Sequence, residues 1–142
     1  MSIEQYMTHH VIMVSEGDSL YEAAQLMKQK NVGAVVVVKN KDTDPTPIDM
    51  LTDRDIVIRL LAEDASFKQM TVKQVATRDV LTVQQNHGVQ ETIQALTAKG
   101  VRRAPVVDTH NKLIGMVTVD DLLLVIIEEL HCLSGLIKKQ IA

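Results

Sequence analysis

Apolar residues along this chain recur at two different periods, and the order in which those periods alternate predicts its elements. Short apolar runs at Ile12 to Val14, Val35 to Val38 and Ile48 to Leu51 read as strands. Between the first two, Leu20, Ala23, Ala24 and Met27 fall at helical spacing on one face. Ser19-Leu20-Tyr21-Glu22 opens this helix as an S-x-x-E capping box, in which hydroxyl and carboxylate each satisfy an orphan backbone N–H. Asn31, which tolerates the left-handed conformation, closes it, and another helix begins at Thr52. The same signals then return: strands at Leu81 to Val83, Ala104 to Val107 and Leu113 to Val117. A helix through Val89, Ile93 and Leu96 stops at Gly100, and a last helix starts at Thr118. The order is β–α–β–β–α, twice.

The recurrence extends to residue identity. Residues 2–38 align on residues 71–107 without a gap, at a shift of 69, with Gln5/Gln74, Thr8/Thr77, Glu22/Glu91, Gln25/Gln94 and Lys30/Lys99 among the identities. Ile48 to Asp55 aligns with Ile114 to Asp121 at a shift of 66, because the loop Lys39 to Pro47 is longer than its counterpart. The expected fold is α+β: repeat 1 over 2–62, a polar junction over 63–70, repeat 2 over 71–130 and an apolar helical tail over 131–142. Neither repeat, at roughly sixty residues, comfortably closes a core alone. Packing their sheets together solves this and leaves clefts between the repeats. From Asp120 onward, Leu122, Leu123, Ile126, Ile127, Leu130 and Leu133 spread over more than one stripe, so this helix needs two partners. Its own domain and a second subunit are both candidates.

Composition then narrows the chemistry. The net charge of −3 over 142 residues supplies no basic field for nucleic acid, and one Phe, two Tyr and no Trp supply few stacking platforms. The single cysteine, Cys132, excludes an internal disulfide, no cysteine cluster suggests a metal site, and its place in the apolar tail predicts a packed thiol. The N-terminal residues lack a basic-then-apolar leader, and the longest apolar run, Leu122 to Ile127, is too short for a bilayer. A cytoplasmic protein without nucleic-acid or membrane partners is expected. No Gly-rich phosphate loop, H-E-x-x-H or nucleophile elbow is present, so an enzyme is not expected.

Four groups could carry chemistry. Thr52-x-x-Asp55 and Thr118-x-x-Asp121 sit where a strand gives way to a helix, so each is a near capping box. A carboxylate fixed there could equally accept from the two hydroxyls of a sugar. Arg102-Arg103 precedes a strand; the pair is either solvated, bridged to Asp120 and Asp121, or a fork for phosphate oxygens. Repeat 1 has Gly33-Ala34 in that place, which predicts one phosphate site rather than two equal ones. His9-His10 lie on an extended segment and point to opposite sides, which makes them no chelate.

Gly100-Val101-Arg102-Arg103-Ala104-Pro105-Val106-Val107-Asp108, followed by Leu113-Ile114-Gly115-Met116-Val117-Thr118-Val119-Asp120-Asp121-Leu122, resembles the core of a cystathionine-β-synthase (CBS) domain. Repeat 1 resembles it through Asn31 to Val38 and Leu51 to Ile56, so the resemblance spans about residues 2 to 130. It implies a non-catalytic CBS pair: two halves about a pseudo-twofold axis, forming a homodimer, binding an adenosine-containing ligand in the clefts and reporting to a partner protein. No cofactor is implied beyond that ligand, an adenine nucleotide or an S-adenosylmethionine-type compound. Ribose and phosphate contacts are implied for Thr52, Asp55, Thr118, Asp121, Arg102 and Arg103. The adenine would meet the segments around Thr8, His10 and Val11 and around Thr77 and Val80, with Met116, Ile12, Val35 and Leu81 as apolar walls. Asp49 stands where the family prefers the Gly seen at Gly115. Aimed into the cleft it would repel phosphate. With Gly33-Ala34 it favours the second reading, a dimeric scaffold with vestigial clefts.

Overall fold

Helix ends in this protein are set by side chains that satisfy backbone groups the helix cannot. The computed structural model describes residues 2–64, 66, 68–76 and 79–141. In repeat 1, strand β1 (Met13–Ser15) leads to helix α1 (Leu20–Lys30), β2 (Ala34–Lys39), β3 (Thr46–Thr52) and α2 (Asp53–Ala62). The Ser19 hydroxyl accepts the Glu22 N–H at 3.0 Å while the Glu22 carboxylate accepts the Ser19 N–H at 3.1 Å, which completes the expected box. Asn31 ends α1 at φ 54°, in the left-handed region. A one-turn helix α3 (Val72–Val75) opens repeat 2, followed by β4 (Val83–Gln84), α4 (Val89–Lys99), β5 (Arg103–Val107), β6 (Leu113–Thr118) and α5 (Val119–Ile141). Gly88 caps α4 without a side chain, and Gly100 closes it at φ 69°.

Each repeat folds its strands into a three-stranded sheet, β1-β2-β3 and β4-β5-β6, with the first pair parallel and the second antiparallel. The same bulge interrupts both antiparallel pairs: Val37 faces Asp49 and Val38 faces Pro47, while Val106 faces Gly115 and Val107 faces Leu113. The valine run of β2 is buried on both faces, as a strand between two layers must be. Val35 and Val37 enter the core of repeat 1; Val36 and Val38 join Leu113, Met50 and Met116 between the two sheets. In the β5–β6 turn the Lys112 and His110 backbone N–H groups donate to Asp108, and the Lys112 bond first of all holds that carboxyl below its ordinary value.

The repeats exchange their leading segments. Ile3, fully buried, lies in the core of repeat 2 with Val83, Leu96 and Val106, whereas Val72 and Val75 lie in the core of repeat 1. The Ile3 N–H donates to the His87 carbonyl at 2.9 Å, and its equivalent, the Val72 N–H, donates to the Asp18 carbonyl at 2.8 Å. Isolated bridges repeat the relation: Ser2 with Gly88, and Thr71 with Ser19. Both pairs obey the shift of 69 read from the sequence, so the pseudo-twofold relation holds in bonds as well as in residue types. This exchange supplies the closure that neither sixty-residue unit has alone.

Helix α5 is unbroken from Val119 to Ile141. Only Leu122 and Val125 of its residues are buried. Cys132, expected to be packed, is exposed, because the helix has left the domain by that turn.

Candidate ligand cleft between the repeats

The largest cavity, about 590 Å³, opens where β3 of repeat 1 meets the segment leading into β4 and the end of α4. Met50, Val80, Leu81 and Val101 give it apolar walls. Its polar lining is Thr52, three cations (Lys99, Arg102 and Arg103) and two carboxylates (Asp49 and Asp79). Local structure explains the cations. Lys99 is the last residue of α4, the left-handed turn at Gly100 reverses the chain, and Arg102 and Arg103 follow as β5 begins. One helix stop therefore delivers three positive side chains to one rim. The Arg102 guanidinium comes within 3.9 Å of Asp120, but both side chains are mostly exposed, so the pair costs little to break.

Of the residues expected to contact a ligand, Thr52, Arg102, Arg103, Val80 and Leu81 line this cavity. Asp55 does not. It lies one turn into α2, where its carboxylate accepts the Thr52 N–H at 3.0 Å and its own N–H donates to the Thr52 hydroxyl at 3.1 Å. Thr118 and Asp121 make the same box at the start of α5, at 3.0 and 3.2 Å, away from this cavity. The capping reading of both Thr-x-x-Asp sequences therefore holds. Thr118 is also the register partner of Arg103 in the β5–β6 pair, yet the arginine lines the cavity with Thr52 of the other repeat.

Thr8, Val11 and Met116 fall on the other side of the pseudo-twofold relation. Thr8 and Met116 exchange backbone hydrogen bonds at 2.8 and 2.9 Å. Val11 and Met116 pack in the layer between the sheets with Met13. His10 is exposed, and Thr77 lies outside the described residues. The residues at 10, 33 and 34 that match the cavity's Asp79, Arg102 and Arg103 are His, Gly and Ala, so that side lacks the arginine pair.

Asp49 sits in the cavity wall, and its side chain is only 3% exposed. Its Oδ1 accepts the Met50 N–H at 2.7 Å. A Cβ built on the equivalent Gly115 would lie 2.5 Å from the Met7 sulfur and 2.9 Å from the Thr8 carbonyl oxygen, so only glycine fits there. Repeat 2 has Ala76 at the position matching Met7. Large and small residues have changed places across the two copies: Met7 with Gly115, Ala76 with Asp49. A similar exchange separates Gly33, whose Cβ would meet the Asp53 carboxylate at 3.1 Å, from Arg102, whose counterpart neighbour is Val119. These departures from symmetry are paired.

Sequence reasoning passed over Asp79, Lys99 and Val101 as cavity residues. Lys99 did carry a signal, its identity with Lys30, but that pair served only to set the alignment.

Comparison with known proteins decides the family, since a CBS-domain profile matches residues 3–62 and again residues 72–128. The chain belongs to the CBS-domain family. Among curated CBS relatives, the CBS domain-containing protein YhcV of Bacillus subtilis is 36% identical over 121 residues, 85% of this chain and 82% of that protein. Uncharacterized protein MK0525 of Methanopyrus kandleri is 33% identical over 123 residues, 87% of this chain, which spans only 61% of that protein. The solved structure of Hypoxic Response Protein I with two coordinated zinc ions superposes with a TM-score of 0.75 at 32% identity, over 87% of this chain and 97% of that one. The CBS pair of MJ0100, in complex with 5-methylthioadenosine and S-adenosyl-L-methionine, shares the fold with a TM-score of 0.73 at 21% identity, over 89% and 99% of the two chains. Among the described residues, no three His, Cys, Asp or Glu side chains gather as a metal site, and no helix is long and apolar enough to cross a membrane.

Proposed function

We propose that this CBS pair is a non-catalytic cytoplasmic regulatory module that binds an adenosine-containing ligand of the AMP, ADP or ATP class between its repeats and signals through a homodimer to a partner protein. One observation carries the reading: Thr52, Lys99, Arg102 and Arg103 converge on a single cavity with apolar walls. A flat purine suits Met50, Val80, Leu81 and Val101, and guanidinium forks suit phosphate oxygens. The ribose is assigned to Thr52, with Asp55 behind it and Asp79 contributed by the other repeat. An S-adenosylmethionine-type ligand, as bound by MJ0100, is the neighbouring chemistry, and the cation count favours the phosphorylated one. No resident cofactor has a role in this reading.

Binding regulates only if the ligand prefers one arrangement of the repeats or subunits over another. The first test is thermal unfolding with AMP, ADP, ATP, NADH and S-adenosylmethionine. A nucleotide at a hundred times its Kd should stabilise the fold by about 2.7 kcal/mol. The second reading, a dimeric scaffold with vestigial clefts, is favoured by the buried carboxylate of Asp49 in the cavity wall. It predicts no shift with any of the five compounds.

A further inference from the structure

We propose that the C-terminal part of α5 pairs antiparallel with the same segment of a second copy of this chain. The inference deepens the homodimer of the preceding section and stands apart from the ligand. By the shift of 66, the end of α2 at Ala62 corresponds to Glu128, yet α5 continues for thirteen residues more, to Ile141. None of the described residues in that extension is buried. Leu130, Leu133 and Ile137 are each more than half exposed. With Leu123 and Ile126 they recur at intervals of three, four, three and four, the spacing of a coiled-coil seam. The seam starts in the domain itself, since Leu123 and Ile126 also line an apolar groove of about 330 Å³ between α4 and α5.

Such a segment is unfavourable alone. Helices of roughly thirteen residues are marginal in water without packing, and Gly135 in the middle weakens this one further. Charge identifies the partner. Glu128 and Glu129 stand at one end of the extension, Lys138 and Lys139 at the other. Under a twofold axis across the helix, the acidic end of one copy meets the basic end of the other, so the surface is complementary to itself. A parallel pair would set lysine against lysine. A lipid surface would call for a basic polar face, and this one carries two charges of each sign besides His131.

The test is light scattering on the full chain across a concentration series, with far-UV dichroism to confirm the fold. The wild type should be an assembled species. Leu130→Glu, Leu133→Glu and Ile137→Glu together should reduce it to the next smaller assembly with the domain still folded. Lys138→Glu with Lys139→Glu should weaken assembly about tenfold at low salt, and adding Glu128→Lys with Glu129→Lys should restore it. A wild type that is monomeric throughout would overturn both the homodimer and this pairing. An assembly indifferent to the three glutamates, or to the charge reversals, would overturn the pairing alone. Neither outcome bears on nucleotide binding, which the thermal panel reads separately.

Discussion

Ile3→Ala should destabilise the protein by about 2–5 kcal/mol in urea unfolding, the usual cost of emptying a fully buried isoleucine site. A residue so near a chain end would ordinarily change stability by less than about 0.5 kcal/mol. Here Ile3 has no exposed surface and packs against Val83, Leu96, Val106 and Val117, all from the other repeat. Its backbone is pinned by the bond to His87 and by the bridge between Ser2 and Gly88. The effect should appear as one cooperative transition shifted as a whole, because the repeats fill each other's cores. A loss below about 0.5 kcal/mol, or a second transition for repeat 2 alone, would show that the exchanged segment contributes little.

The second large effect concerns binding. Changing Arg102 and Arg103 together to Ala should lower AMP affinity by about a hundredfold, since each charge-assisted bond to phosphate is worth about 1.5–3 kcal/mol and the two share one group. Adenosine affinity should change by less than about threefold. Stability should hardly move, because both side chains are exposed and the Asp120 pairing of Arg102 is long and solvated. Equal losses for AMP and adenosine would mean that the arginines shape the cavity rather than hold a phosphate.

Most of this fold could be read from the sequence, for reasons specific to its residues. A duplicated unit offers every signal twice, so the Asn31 and Gly100 stops confirm each other where either alone would be weak. The capping boxes at Ser19, Thr52 and Thr118 are local chemistry and need no tertiary information. The exchange of leading segments was not legible, because nothing in Ile3 or Val72 says which repeat's core will receive it; that depends on how the sheets meet. The site was legible in part. Arg102 and Arg103 stood out as charges without counterparts in repeat 1. Sequence could not assign them to the cavity with Thr52 rather than the side with Thr118, since the choice is made by the turn at Gly100. Asp49 was visible as an anomaly, and its place in the wall became clear only beside the matched exchange of Met7 and Gly115 for Ala76 and Asp49.

Calorimetric titration of AMP into the purified chain asks most directly whether a single nucleotide sits in the hollow lined by Thr52, Lys99, Arg102 and Arg103. The lopsided distribution of arginines predicts one molecule bound per chain, with the heat lost in the Arg102→Ala, Arg103→Ala double variant. Two equal molecules per chain, or a binding isotherm unchanged in that variant, would contradict it.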